Sequence, residues 1–190
     1  MSDPLRIRLL GCHHTETATA RLSSYLVNDR LALDAGALSS TLTQKEQDNL
    51  AGIVVTHLHF DHNRDLLTVG LGGFETGLSL PVYGTAETLD YLHENFLNGR
   101  TYPDFTVRPS TKKPRLQLTP LEPWKEHDVA GLAFPTFSRL SVPGATRRLR
   151  RSSAARYRLA NCRAAGSRPK MSNTAVTVIQ MPATTVQPRE

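Results

Sequence analysis

The chain has 190 residues, 39% of them hydrophobic and 21% charged, with a formal net charge of +6. That length suffices for one domain with a real core, although the apolar content is slightly lean. No stretch approaches the roughly 20 apolar residues that span a bilayer, the start Met1-Ser2-Asp3-Pro4-Leu5-Arg6 has no apolar signal region, and two cysteines, Cys12 and Cys162, cannot build a disulfide framework. The expectation is a cytoplasmic protein with no membrane contact.

Arg6-Ile7-Arg8-Leu9-Leu10 alternates and then meets Gly11, which predicts a first strand. Ser24-Tyr25-Leu26-Val27 predicts a second. Asn28-Asp29 signals a tight turn, and Leu31-Ala32-Leu33 returns as a third strand. Residues 41–50 are polar and amphipathic, as in a short helix. Gly52-Ile53-Val54-Val55-Thr56 is an apolar run of the kind found in a buried strand. Gly70, Gly72 and Gly73 read as a loop. They neither follow a strand nor open a helix, so a nucleotide-binding fingerprint is rejected. Pro81-Val82-Tyr83 predicts a strand. Thr85 can cap a helix running to about Leu97, with Leu89, Leu92 and Phe96 on its apolar face and Asn98-Gly99 as its stop. Arg115-Leu116-Gln117-Leu118 and Gly131-Leu132-Ala133-Phe134 predict further strands.

The charge is unevenly placed. Residues 1–138 hold 12 basic and 16 acidic residues, a balance of −4, whereas residues 139–190 hold 11 basic residues and one acid, a balance of +10. The sequence therefore divides into an α/β domain over 1–138 and a basic, low-complexity tail over 139–190. In the tail only Thr174-Ala175-Val176-Thr177-Val178-Ile179-Gln180-Met181 has strand character. A segment so poor in apolar periodicity cannot offset its ordering entropy, so the tail is expected to be disordered, or out of frame with the rest. Its arginines allow a reading of another class, a non-catalytic nucleic-acid binder. Only Tyr157 is available there for base stacking, which makes nucleic acid a poor partner.

The chemistry concentrates in Thr56-His57-Leu58-His59-Phe60-Asp61-His62. As the chain leaves a strand, His57 and His59 are two residues apart and can point the same way. Asp61 and His62 follow in the turn toward a helix. Imidazoles and a carboxylate suit zinc, and also iron or manganese. An open coordination position would hold a water, whose pKa a divalent ion lowers from about 15.7 to about 7. The resulting hydroxide can attack a phosphorus or carbonyl centre.

This segment resembles the T-H-x-H-x-D-H signature of the metallo-β-lactamase superfamily, and Leu33-Asp34-Ala35-Gly36 resembles its upstream D-x-G strand end. The resemblance implies an α/β fold, the αββα metallo-β-lactamase-like sandwich, here cut short after about residue 138. It implies two zinc ions, with His57 and His59 on the first and Asp61 and His62 on the second, Asp61 counting as the catalytic carboxylate. Asp34 would orient a ligand imidazole from behind. Within the superfamily, Leu10-Gly11-Cys12, residues 23–28, residues 31–38 and residues 97–105 are similar to class II cyclic-nucleotide phosphodiesterases. That implies a small-molecule phosphodiester as substrate. Thioester or lactone hydrolysis and ribonuclease Z-like processing are the alternatives within the fold. Dimerisation is common in the family but leaves no signal in this sequence.

The family's downstream ligands are absent. His127 is the last histidine, and residues 139–190 contain neither His nor Asp. Weak metal affinity and little turnover are therefore expected of this chain. Elsewhere, His13 and His14 read as a solvent-loop pair, His93 as a partly buried structural histidine, Arg64 and Asp65 as surface charges, and Cys12 as a small buried hydrophobe.

Overall fold

The computed structural model describes residues 5–74, 76–135 and 177–181. The expectation of a disordered or out-of-frame tail over 139–190 lies outside the described residues, apart from the one strand at 177–181.

The chain opens with β1 (Leu5–Gly11), β2 (Ser24–Val27) and β3 (Leu31–Leu33). β2 and β3 form a hairpin closed by residues 28–30. Asn28 and Asp29 both take positive φ, 49° and 56°, which matches the right-handed twist of the flanking strands. Two short helices follow, α1 (Leu38–Thr41) and α2 (Gln44–Asp48). The short helix expected over 41–50 is α2, which starts only at Gln44 because Thr43 acts as its cap: the Thr43 hydroxyl accepts from the Glu46 amide, and Glu46 in turn accepts from the Thr43 amide. Next come β4 (Gly52–Val54), α3 (Phe60–Asn63), α4 (Leu66–Gly72), β5 (Leu80–Gly84) and α5 (Ala86–Asn95), the last capped by Thr85 as its sequence predicts. The remaining elements are β6 (Pro109–Ser110), β7 (Lys113–Pro114), β8 (Leu116–Pro120), β9 (Glu126–Val129), β10 (Leu132–Pro135) and β11 (Thr177–Met181).

The main sheet has the order β11-β1-β2-β3-β4-β5-β8. It is antiparallel from β11 to β3 and parallel from β3 to β8. Alternating side chains split its two faces between two cores. Leu26, Ala32, Ile53 and Val82 face the helices, in a cluster with Leu38, Leu66, Leu89, Leu92 and Phe105. Val27, Leu31 and Val54 face the other way, with Leu121 and Val129, and Leu132 and Phe134 pack against them. That second core is where the β9–β10 hairpin lies on the sheet. Helices on one face and strands on the other give the layering that an αββα sandwich requires. No helix among the described residues is long and apolar enough to cross a membrane.

The glycine-rich stretch corrects its sequence reading. Gly70 and Gly72 belong to α4, not to a loop. A Cβ at Gly70 would come within 2.5 Å of the Phe105 ring, and one at Gly73 would meet the Arg115 guanidinium. The glycines are there to admit two large side chains, and the helix tolerates their poor propensity because tertiary packing supports it. β9 escapes a sequence reading for a related reason. Three of its four residues are polar, and only Val129 is buried.

Candidate metal centre

The site starts where β4 ends. Val55 is still tied to the sheet by its amide, which donates to Tyr83 O at 2.8 Å, and the chain then turns out across the sheet edge through residues 56–62 into α3. Three backbone bonds fix this turn and its exit against the neighbouring chain: Ser23 N donates to Asp61 O (3.1 Å), Ala35 N to His62 O (2.7 Å) and Asp65 N to Ala35 O (2.7 Å). A fourth, from Gly36 N to Ser23 O (3.0 Å), ties the two supporting segments to each other. Asn63, buried, donates from Nδ2 to Leu58 O at 2.8 Å and closes the turn from within.

The Asp34-Ala35-Gly36 segment is the bed on which the turn rests. Asp34 has φ 62°, a left-handed conformation that Asp tolerates better than most side chains. Gly36 is not in that region. Its need is space, because a Cβ there would run into Asp61 O and lie 2.7 Å from Leu22 Cβ and 2.8 Å from Ser23 O.

Asp34 is 3% exposed, and its carboxylate is fully engaged. Oδ1 accepts from Thr56 N at 2.8 Å. Thr56 Oγ1 lies 2.9 Å from Oδ1 and 3.0 Å from Oδ2. Oδ2 lies 2.6 Å from His62 Nδ1. A carboxylate only accepts, so His62 carries its proton on Nδ1 and directs Nε2 the other way. That Nε2 is 3.3 Å from Asp61 Oδ2. The rings of His57 and His62 are 4.0 Å apart between centroids, and those of His57 and His59 4.6 Å.

The electrostatics differ between the imidazoles. Burial lowers the pKa of His57, and the neighbouring His62 and His59 lower it further against the pull of Asp34 and Asp61. Burial also opposes charge on His62, but the hydrogen bond to Asp34 and the charges of Asp34 and Asp61 outweigh it and raise that pKa. Burial and the neighbouring imidazoles thus favour the neutral form of His57, the form in which imidazole binds a metal.

Among the described residues, no three His, Cys, Asp or Glu side chains converge into a metal cage. What the structure brings together is the Asp61–His62 pair, with the rings of His57 and His59 alongside. The donor chemistry fits a divalent ion. Two ligand atoms bonded at about 2.0–2.1 Å in tetrahedral geometry stand roughly 3.3–3.4 Å apart, and Asp61 Oδ2 and His62 Nε2 stand 3.3 Å apart. His127 is elsewhere: it lies on β9, opposite Phe134, with Nε2 at 2.9 Å from Glu122 O.

Several lesser expectations are corrected. Asp65 is buried at 1% exposure rather than a surface charge. Its carboxylate makes no capping bond to α4 and instead ties that helix start to α1, accepting from Ser39 N and from Arg64 Nε, both at 2.8 Å. Arg64 also pairs with Glu16, which is 3.6 Å from Arg21, so the loop after β1 is tied to the metal turn. No sequence signal marked this role, because an Arg-Asp pair at a helix start usually lies on a solvated face. His93 is about half exposed, 3.6 Å from Asp104, rather than partly buried in the core. Cys12 is only half-buried. His13 and His14 are exposed, as expected of a loop pair.

Residues 28–168 match the model described as the beta-lactamase superfamily domain. The chain belongs to that family. Its fold is the metallo-β-lactamase fold, and at superfamily level the family is one of metal-dependent hydrolases. The match runs past residue 138, the boundary suggested by composition. Among solved structures, unliganded yeast PDE1 is similar, with 15% identity and a TM-score of 0.53 over 65% of this chain and 52% of that one. The metallo-β-lactamase fold protein YhfI from Bacillus subtilis is 21% identical, with a TM-score of 0.49 over 66% of this chain and 50% of that one. The chain spans about half the length of each. A comparison with curated protein sequences finds no match.

Proposed function

We propose that this chain supplies the first ligand segment of a metal-dependent phosphodiester hydrolase, with a cyclic nucleotide as the leading substrate class. The observation that carries the metal reading is the Asp61–His62 pair. Asp61 Oδ2 and His62 Nε2 stand 3.3 Å apart, the separation of two ligand atoms on one tetrahedral cation. Zinc is the first choice, with iron and manganese open. His57 and His59 would hold one ion, and Asp61 and His62 a second. When bound, the metal supplies Lewis acidity, both to water and to negative charge developing on a phosphoryl oxygen.

The chain's own residues do the rest. Asp34 holds His62 in one orientation from behind. Asp61 keeps part of its carboxylate exposed, and its Oδ atoms can take a proton from attacking water. Phe60 is 60% exposed, one residue from His59 and Asp61, and its ring is set edge-on to Phe96 at 6.2 Å. It offers an apolar wall to a planar substrate group such as a base. Support for a phosphodiester comes from the sequence likeness of residues 23–28, 31–38 and 97–105 to class II cyclic-nucleotide phosphodiesterases. The likeness to yeast PDE1 supports the fold alone.

The test is to load the chain with Zn2+ and assay a cyclic nucleotide, bis(p-nitrophenyl) phosphate, a thioester and a lactone. Slow hydrolysis selective for the phosphodiesters, lost in His57→Ala and His62→Ala, is expected. Selectivity for the thioester or lactone would overturn the substrate reading. Failure of the chain to bind Zn2+ at all would overturn the metal reading.

A further inference from the structure

We propose that the Thr56 hydroxyl is a positioning group: it links Asp34 to His57 and holds that imidazole as the Nδ1–H tautomer, leaving Nε2 as the lone pair available to a metal ion. Thr56 Oγ1 is 3.0 Å from His57 Nδ1 and 2.9 and 3.0 Å from the two carboxylate oxygens of Asp34. A hydroxyl has one hydrogen to give and lone pairs with which to accept. Only two arrangements are open to it. If it donates to His57, its oxygen lone pairs face a buried carboxylate that only accepts, at hydrogen-bond distance with no proton between them. If it donates to Asp34, it forms a charge-assisted bond, about twice as strong as a neutral one. It can then only accept from His57, whose proton must sit on Nδ1.

The consequence reaches both halves of the ligand segment. His62 Nδ1 is 2.6 Å from Asp34 Oδ2 and is set directly, whereas His57 is set through one intervening hydroxyl. One carboxylate, 3% exposed, therefore fixes the tautomer of an imidazole on each side of the candidate centre. The Thr56 amide also donates to Asp34 Oδ1 at 2.8 Å, so the hydroxyl is held in place by the same residue it bonds. A β-branched side chain adds stiffness at χ1, which a flexible hydroxyl-bearing residue would lack.

The first arm of the test needs neither metal nor substrate. Long-range proton–nitrogen NMR on 15N-histidine-labelled chain reads the tautomer of each imidazole. His57 is expected as Nδ1–H in the parent and in Thr56→Ser. In Thr56→Val it is expected to lose that preference, while His62 keeps its own. The second arm rests on the proposal that His57 is a metal ligand. Zn2+ affinity, read by chelator competition, should fall about ten- to a hundredfold in Thr56→Val and recover in Thr56→Ser. Finding His57 as Nε2–H in the parent overturns the proposal with no variant needed. An unchanged His57 tautomer in a folded Thr56→Val chain overturns it equally. A tautomer shift with unchanged Zn2+ affinity leaves the hydroxyl's hold on the tautomer standing but overturns the claim that this hold serves a metal.

Discussion

Gly36→Ala is the sharpest single perturbation of this site. The new methyl group would run into Asp61 O and lie 2.7 Å from Leu22 Cβ and 2.8 Å from Ser23 O. Carbon atoms in favourable contact stand at about 3.5–4.0 Å, so the Leu22 contact alone is about 0.8 Å too close. Overpacking of this kind costs about 1–3 kcal/mol. Here the crowded backbone oxygens also carry hydrogen bonds, from Ser23 N to Asp61 O and from Gly36 N to Ser23 O. Losing one of these adds about 1 kcal/mol. The expected destabilisation is about 2–4 kcal/mol, which at a urea m-value of about 2 kcal/mol/M moves the midpoint down by about 1–2 M. Gly77→Ala is the control. Nothing lies within 4 Å of a Cβ at Gly77, but its φ is +65°, so it should lose only about 1 kcal/mol, through backbone strain. Urea unfolding followed by circular dichroism compares the two. A Gly36→Ala chain no less stable than Gly77→Ala would refute the claim that Gly36 exists to seat the metal turn.

Two further outcomes follow from groups away from the site. Arg115 is 2% exposed, with no partner for Nε among the described residues, and donates to Leu78 O at 3.2 Å and Val69 O at 3.1 Å near the end of α4. Arg115→Met should cost about 1–3 kcal/mol by leaving the Leu78 carbonyl without this donor. Arg115→Ala should cost more, because it also empties volume, and equal urea midpoints for the two variants would show that packing contributes nothing. Glu46 has its pKa lowered from about 4.5, first by the bond from the Thr43 amide, against burial, and then by Arg8 at 2.7 Å. A carboxylate with a lowered folded-state pKa stabilises above its unfolded value and loses that contribution as pH falls through the folded one. The stability gap between parent and Glu46→Gln should therefore be widest above about pH 5 and shrink below pH 4.5. A gap unchanged from pH 7 to pH 3 would count against that.

How much of this was legible in the sequence depends on whether a feature is local. The β2–β3 hairpin was legible because Asn28-Asp29 announces a turn whose positive φ angles few other residues accept. The α5 start was legible because Thr85 satisfies an amide three residues on. The ligand cluster was legible for the same reason, since His57, His59, Asp61 and His62 lie within six positions. Features that depend on distant partners were not. Gly70 and Gly73 read as loop residues until Phe105 and Arg115 are placed against them. Asp65 read as a surface charge until Ser39 N arrives to bond it. The helix over 41–50 was legible in existence but not in its start: Thr43 followed by Glu46 is a capping signature that opens it at Gln44, but one set inside an amphipathic stretch that masked it.

The same distinction explains why Asp34 and the histidine segment belong to one device although 22 residues separate Asp34 from Thr56. β3 and β4 run parallel and adjacent, with Leu33 paired to Val54, so their ends emerge at the same sheet edge. Just past Leu33 the chain takes a left-handed step at Asp34, and just past Val54 it delivers Thr56 and His57. A parallel pair therefore places a carboxylate beside imidazoles at the carboxyl ends of neighbouring strands, where open α/β sheets hold their ligands. Sequence motifs mark the two strand ends, but only the register turns them into a single hydrogen-bonded unit. A change that slipped β3 against β4 by one residue would leave both motifs intact and separate Asp34 from Thr56 and His62. The register of the β3–β4 pair is thus as much a part of the candidate site as the histidines themselves.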